Sequence, residues 1–390
     1  MKKYQLSAIT HYPVNWIDGM KISKQHFIQS ENALQDHFRD VAAISLNNYN
    51  YGLLSAAPGM NSSLEIEIQI DPQNIIQVSL NTCRAIAPNG SRIEILKGSN
   101  NYNYSGKKLL ASHKHENNKD EQAYAIIIQA NPLSRIPAGE PDASEQPARH
   151  PFSVPEAAVS ILPVEQLQPA DGNYLILAKL INQKGEWKKD DVYMPACVAV
   201  QNYKKLLEQY SALGRQFEEL VSSCSLIVQK VKGEKQKTSL SLNIQYVCEE
   251  LLAYMVDKVI KYRWLYAQDS PIHTVELFVS LTYCLKTGFD CLTERDREEM
   301  FTYYEQWSLL KPVEFEMLIQ DILSIEYDHN DISKSMTGVS KLMDVAVLLF
   351  GKLSKLKFIG EQHDTGIVLG ETIEPKKQEK KPGGWSFLAD

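Results

Sequence analysis

Apolar and polar residues alternate through much of the first half of the chain. In SLEIEIQI (63–70), Leu64, Ile66, Ile68 and Ile70 fall on one face and Glu65, Glu67 and Gln69 on the other. A period of two is the pattern of a half-buried strand. IIQVSL (75–80), SRIEIL (91–96), AYAIIIQA (123–130), AAVSIL (157–162) and YLILAKLI (174–181) predict further strands, with DPQN, APNG and PADGN as the turns between them. Many short strands punctuated by Pro, Gly and Asn predict an antiparallel β-sandwich or barrel. The segment NPLSRIPAGEPDASEQPARHPFSVPE (131–156) reads as a long Pro-rich loop.

From about residue 202 the period changes. Leu206, Tyr210, Leu213, Phe217, Leu220, Cys224, Ile227 and Val231 recur at alternating steps of four and three. A repeat of 3.5 residues keeps one seam of a helix facing a partner, as in a coiled coil. Over about three and a half heptads an amphipathic helix packed inside its own globule gives the same pattern. The reading taken here is a self-associating trimer seam. Tyr210 and Phe217 would crowd a narrow two-stranded seam and suit a wider bundle. KGEKQKTS (232–239) is a polar break.

Further helices follow. Ile244, Val247, Leu251, Met255 and Val259 share a face, and Ser270-Pro271 is a helix start for 270–289. Segments 295–307, 312–326 and 331–357 complete a helical half, with Asp331 as an expected N-cap. The expected organisation is multidomain, β then α. Residues 1–200 form a β-sandwich, 201–358 a helical bundle or coiled-coil region, and 359–390 a flexible tail. EPKKQEKKPGG (374–384) has no periodicity, yet Trp385, Phe387 and Leu388 follow it. Apolar anchors behind a polar linker are the form of a short docking motif; an adventitious terminus is the competing reading.

Composition narrows the function classes. The 390 residues carry a net charge of −7, with a pI of about 5.8, so no global attraction to nucleic acid or anionic lipid is expected. The six cysteines, at 83, 197, 224, 248, 284 and 291, form no CxxC pair and read as reduced core residues. The first residues lack the apolar run of a signal peptide, and no stretch has the length of a membrane span. A cytoplasmic protein with no direct membrane insertion is expected.

The usual chemical motifs are missing. There is no GxGxxG after a strand, no GxxxxGK[ST], HExxH or GxSxG. His113 and His115, in SHKHENNKDE (112–121), read as part of a solvated loop rather than a metal site. YDHNDIS (327–333) is rich in oxygen ligands but lacks the length and glycine of a calcium loop. We therefore expect no catalytic residue, no metal and no cofactor.

One phrase gathers acids, histidines and aromatics: VNWIDGMKISKQHFIQSENALQDHF (14–38). Asp18, His26 and Glu31 could supply an acid–base pair, but no nucleophile or phosphate loop accompanies them. The structural reading is a turn at Asp18-Gly19, a helix cap at Ser23, and an apolar edge of Phe27, Ala33/Leu34, His37/Phe38 and Val41. Trp16, Met20 and Phe27 are then expected to clamp this helix against the strand region.

The same phrase carries a resemblance. VNWIDGM followed by QHF, with Trp16, Asp18, Gly19, Met20, Gln25, His26 and Phe27, resembles the N-terminal signature of the TssK family of type VI secretion system baseplate subunits. Lys24 stands where that family usually has Pro. GEPDASEQPARHPFSVPE (139–156) resembles the family's Pro-rich loop, SPIHTVELFVSLTYCLKTGF (270–289) is similar to one of its helices, and YDHNDISKSMTGVSKLM (327–343) to another. The likeness covers roughly residues 1–357.

The resemblance implies a β-sandwich shoulder, a helical neck and a homotrimer built around the neck. It implies a structural, phage-tail-like role, joining the wedge proteins TssF, TssG and TssE to a membrane-anchoring complex. The family's head domain, which faces TssL and TssM, needs more chain than residues 359–390 offer. The expectation is thus a headless variant whose membrane-side partner is unknown, fitting a branch of the system without those membrane proteins. The alternative is a phage-like receptor- or carbohydrate-binding trimer, with Tyr49, Tyr51, Tyr102 and Tyr104 as its exposed aromatics.

Overall fold

The computed structural model describes residues 8–73, 75–96, 109–114, 123–167, 174–183, 186–308 and 310–360. Helix α1 (Lys24–Ala43) leads into nine strands, and six further helices follow. The strands are β1 (Gly52–Leu53), β2 (Leu64–Ile70), β3 (Ile75–Ile86), β4 (Arg92–Ile95), β5 (Leu109–Lys114), β6 (Tyr124–Ala138), β7 (Phe152–Pro163), β8 (Tyr174–Gln183) and β9 (Glu186–Lys189). The helices are α2 (Lys204–Gly233), α3 (Ser239–Trp264), α4 (Pro271–Asp290), α5 (Glu294–Ser308), α6 (Pro312–Leu323) and α7 (Ile332–Leu353).

The named strands of the described residues pair antiparallel, and one isolated parallel bridge links Leu53 to Cys197. β3 is the centre of one sheet: Cys83 pairs with Leu64 of β2 on one side and with Ile95 of β4 on the other. β1 and β2 thus lie along one flank of β3, and β4 and β5 along the other. The second sheet runs β7-β6-β8-β9. Ile76, Val78 and Leu80 of the first sheet and Ile126, Ile128 and Leu177 of the second belong to one buried core. The β2–β3 turn closes on the Asp71 carboxylate, which accepts the N–H groups of Gln73 and Ile75, both at 2.8 Å.

Two expectations are corrected among the strands. The Pro-rich segment is not loop throughout, because β6 continues to Ala138 and β7 begins at Phe152. Its prolines fit because β7 is an outer strand, and β6 pairs with β8 only as far as Gln129. Pro132 falls in the irregularity between Asn131 and Arg135. His113, read as loop, sits on β5 opposite Ile76, with its ring 4.7 Å from that of Tyr124. His115 lies outside the described residues.

The sheets join the helices through a close backbone approach. Gly52 adopts φ +112, and a Cβ there would fall 2.2 Å from the Ala196 carbonyl. Only glycine tolerates both the conformation and the contact. Leu53 then donates its N–H to Ala196 O at 2.8 Å and accepts from Val198 N–H at 3.0 Å. The same core continues into the helices without a break.

The eight seam residues of α2 are all buried within the chain itself, each 6% exposed or less. α2 packs against α3 and α7 of its own chain. The Tyr210 and Tyr262 rings stack 4.2 Å apart, and each hydroxyl donates to the other residue's backbone carbonyl. Phe217 meets Phe278 of α4 edge-on at 5.8 Å. This corrects the expected trimer seam: Leu206, Tyr210, Leu213, Phe217, Leu220, Cys224, Ile227 and Val231 form the intramolecular helical core and present no face to a second copy.

Candidate interaction surface

The N-terminal phrase forms an arm held along one side and bare on the other. A turn at Ile17–Met20 reverses the chain with Gly19 at φ +77, and Ser23 starts α1, its N–H donating to the His26 ring at 3.3 Å. The buried Asp36 side chain is the main tether. Its Oδ2 accepts the N–H groups of Thr10 and His11, both at 3.0 Å, and Arg39 lies 3.4 Å from its Oδ1. Burial alone would raise this carboxyl's pKa, but the Thr10 and His11 donors and Arg39 outweigh it and hold the group below its ordinary value. Arg135 of β6 adds an ion pair to Glu31 and a hydrogen bond to Asn32.

The opposite face of α1 carries Phe27, Leu34, Phe38 and Val41, each more than half exposed, and Ile44 just beyond it is 87% exposed. Phe27, Leu34 and Val41 repeat at seven residues, with Phe38 beside them, so they line one side of the helix. Trp16, Ile17 and Ile22 extend this bare apolar surface onto the preceding segment. A contiguous exposed patch of this kind marks an interaction site. Trp16 packs on Phe27 and His26, with ring centroids 6.2 and 6.0 Å apart, and stays half exposed. Trp16 and Phe27 therefore do not clamp this helix against the strand region: Arg135 of β6 holds α1, and Asp36 holds the segment before it.

The other predicted positions separate. Asp18 and Gln25 are exposed. Glu31 bonds to Arg135 and His26 to Ser23, so no hydrogen bond joins Asp18, His26 and Glu31 among the described residues. Tyr51 is buried and Tyr49 half-buried, neither placed as a glycan platform; Tyr102 and Tyr104 lie outside the described residues, as do Trp385, Phe387 and Leu388. No group of three His, Cys, Asp or Glu among the described residues is placed to hold a metal. No described helix is long and apolar enough to cross a membrane.

A second bare stripe runs down α3. Leu242, Val256, Ile260 and Trp264 are all exposed on one side, Trp264 at 64%. Their opposite neighbours Ile244, Val247, Leu251 and Met255 fill the core.

A set of residues that sequence reasoning missed locks sheets to helices. Lys179 of β8 pairs with Asp331 at 2.6 Å and sits 4.9 Å over the Tyr193 ring. Asp331 occupies the expected N-cap of α7, but its carboxylate serves Lys179 and the Ser333 hydroxyl instead. Tyr193 donates to Asn330 O at 2.7 Å, and Tyr51 donates to Asn330 Oδ1 at 3.1 Å. His329 is bonded through Nε2 to Tyr51 O and through Nδ1 to the Tyr327 hydroxyl, at 2.8 and 2.7 Å. Burial pushes its pKa down to about 4, so it is neutral near pH 7. The density of YDHND in polar groups was the one available signal. Likewise Ser270, the expected cap of α4, donates its hydroxyl to Tyr49 O.

No family model and no curated protein matches the sequence. The fold is similar to that of a crystal structure of TssK, with a TM-score of 0.53, 14% identity, and coverage of 86% of this chain and 69% of that one. TssK from T6SS EAEC in complex with a nanobody aligns at a TM-score of 0.48 and 12% identity, over 82% of this chain and 68% of that one. A chain of the type VI secretion TssK-TssF-TssG baseplate subcomplex aligns at 0.46 and 12%, over 87% and 99%. The shared fold of antiparallel sheets followed by helices rests on the first of these.

Proposed function

We propose that this chain is a structural adaptor of a type VI secretion baseplate, acting by binding rather than by catalysis. Residues 1–200 are its shoulder and 201–358 its neck. The observation that carries the reading is the N-terminal arm, tethered through Asp36 while Phe27, Leu34, Phe38 and Val41 stay bare. A row of exposed large apolar side chains along one helix face marks a surface for a partner to cover. The fold shared with TssK and the N-terminal signature favour the wedge, TssF, TssG and TssE, as that partner. In this reading the adaptor sits at the cytoplasmic face of the membrane, and its membrane-side partner is reached through residues 359–390.

The adaptor is a homotrimer in this proposal, and the α3 stripe of Val256, Ile260 and Trp264 supports the contact between copies in place of the buried α2 seam. Co-purification of the tagged chain with TssF and TssG from the same organism tests the role. Phe27→Asp with Phe38→Asp should remove both proteins from the eluate while leaving thermal unfolding unchanged. Retention of both by a folded variant would exclude the arm as the wedge contact.

A further inference from the structure

The proposed adaptor role leaves one edge of the sandwich unused. β2 pairs with β3 on one side, and no described residue pairs with its other side. Asp71 donates its N–H to Ile75 O at 3.1 Å, which sets the alternation along the pair. Gln69 and Glu67 therefore bond to β3, while the N–H and C=O groups of Ile66, Ile68 and Ile70 point to the free side. A row of three such residues is a template for another strand.

The free edge borders a cleft of about 320 Å³ between β2 and β8. Its apolar wall is Leu64, Ile66, Leu177 and Ala178, and its rim holds Glu65, Glu67 and Asp190 against one lysine, Lys189. None of the three carboxylates has an ion-pair partner among the described residues. Glu67 accepts from the Asn81 side chain, Glu65 from the Thr82 hydroxyl at 3.5 Å, and Asp190 from the Val192 N–H. Elsewhere in this sheet the acid is neutralised: Glu94 pairs with Arg84 at 2.7 Å and also with Arg92.

We propose that the free edge of β2 takes up an extended, lysine- or arginine-bearing segment of a partner protein as an added strand. Its alternate apolar side chains lie on the face of Ile66 and Ile68, and the one beside Ile66 enters the cleft. Its basic side chains stand beside Glu65 and Glu67, at the cross-strand spacing where opposite charges attract. Main-chain bonds to Ile66, Ile68 and Ile70 hold it, and the carboxylates select it, the division of labour in strand addition. An acidic segment is rejected by the same two glutamates.

The test uses the full chain and a capped heptapeptide of alternating Val and Lys, with a Val/Glu peptide as control. The expected result is that the lysine peptide slows amide exchange at Ile66, Ile68 and Ile70 at least tenfold, and the glutamate peptide does not. Glu65→Lys with Glu67→Lys should weaken the lysine peptide about tenfold and admit the glutamate peptide. A second variant, Ile68→Pro, removes an N–H that the fold does not use, and should abolish protection in a chain that remains folded. Equal protection by both peptides, protection confined to other strands, or binding unaffected by the charge reversal would overturn the proposal.

Discussion

Lys179 on β8 and Asp331 at the start of α7 form an ion pair of 2.6 Å across 152 residues of sequence, with both side chains largely removed from solvent. It joins the second sheet directly to the start of the last helix. Lys179→Met leaves the buried Asp331 carboxylate with the Ser333 hydroxyl and only the exposed Lys334, 3.9 Å away, which is expected to cost about 3 kcal/mol. Urea unfolding of the two single variants and of Lys179→Met with Asp331→Asn checks this. The double variant should lose less than the sum of the singles.

His329 gives the junction a pH dependence. Its folded pKa, about 4, lies below the ordinary 6.5, so the unfolded chain binds the extra proton first. Its contribution is complete above pH 6.5, falls as pH drops through the window from 6.5 to 4, and stays flat below it. Between pH 7.5 and pH 5 the loss should be about 2 kcal/mol. The urea midpoint at the two pH values measures it, and His329→Gln should flatten the difference.

Asp36 should govern the arm alone. Asp36→Ala removes the acceptor for the Thr10 and His11 N–H groups. Amide exchange across residues 8–23 should quicken by an amount on the order of 2 kcal/mol, while exchange in α2 and β6 stays as before. Because the carboxyl is held below its ordinary value of 3.8, this tether is present above that pH and is lost as pH falls through the lower folded value.

The two faces of the helical half predict opposite phenotypes. Leu213→Ala on α2 opens a cavity in the chain's own core and should cost about 3 kcal/mol without changing the assembled mass. Val256→Asp with Trp264→Asp, both on the exposed α3 stripe, should lower the mass to that of one chain and leave the unfolding midpoint of that chain intact. Light scattering and denaturation on the same samples separate them.

Periodicity made much of this architecture legible, and failed where partner identity mattered. The alternation of Leu64, Ile66, Ile68 and Ile70 announced β2, and the 3.5-residue spacing announced α2. Spacing says that a face is apolar but not whose atoms cover it, so the α2 core read as a seam between copies. The prolines made residues 131–156 read as loop, yet Pro137 and Pro155 sit in stretches of β6 and β7 that are paired on one side only among the described residues. The junction of Tyr51, Lys179, Tyr193 and His329 left no signal beyond the polar density of YDHND, since its members are brought together only by tertiary folding. Asp36 lies inside the N-terminal phrase, but its partners Thr10 and His11 are 26 and 25 residues away, a distance that periodicity does not bridge.

In the proposed role the bare arm holds baseplate wedge proteins. The direct measurement is the mass, by light scattering, of the species formed when the purified chain is mixed at micromolar concentration with TssF and TssG of the same organism. The account predicts one complex containing all three proteins, absent when Phe27 and Phe38 are both replaced by Asp. If the wild-type chain keeps its own mass in the presence of both proteins, the account is contradicted.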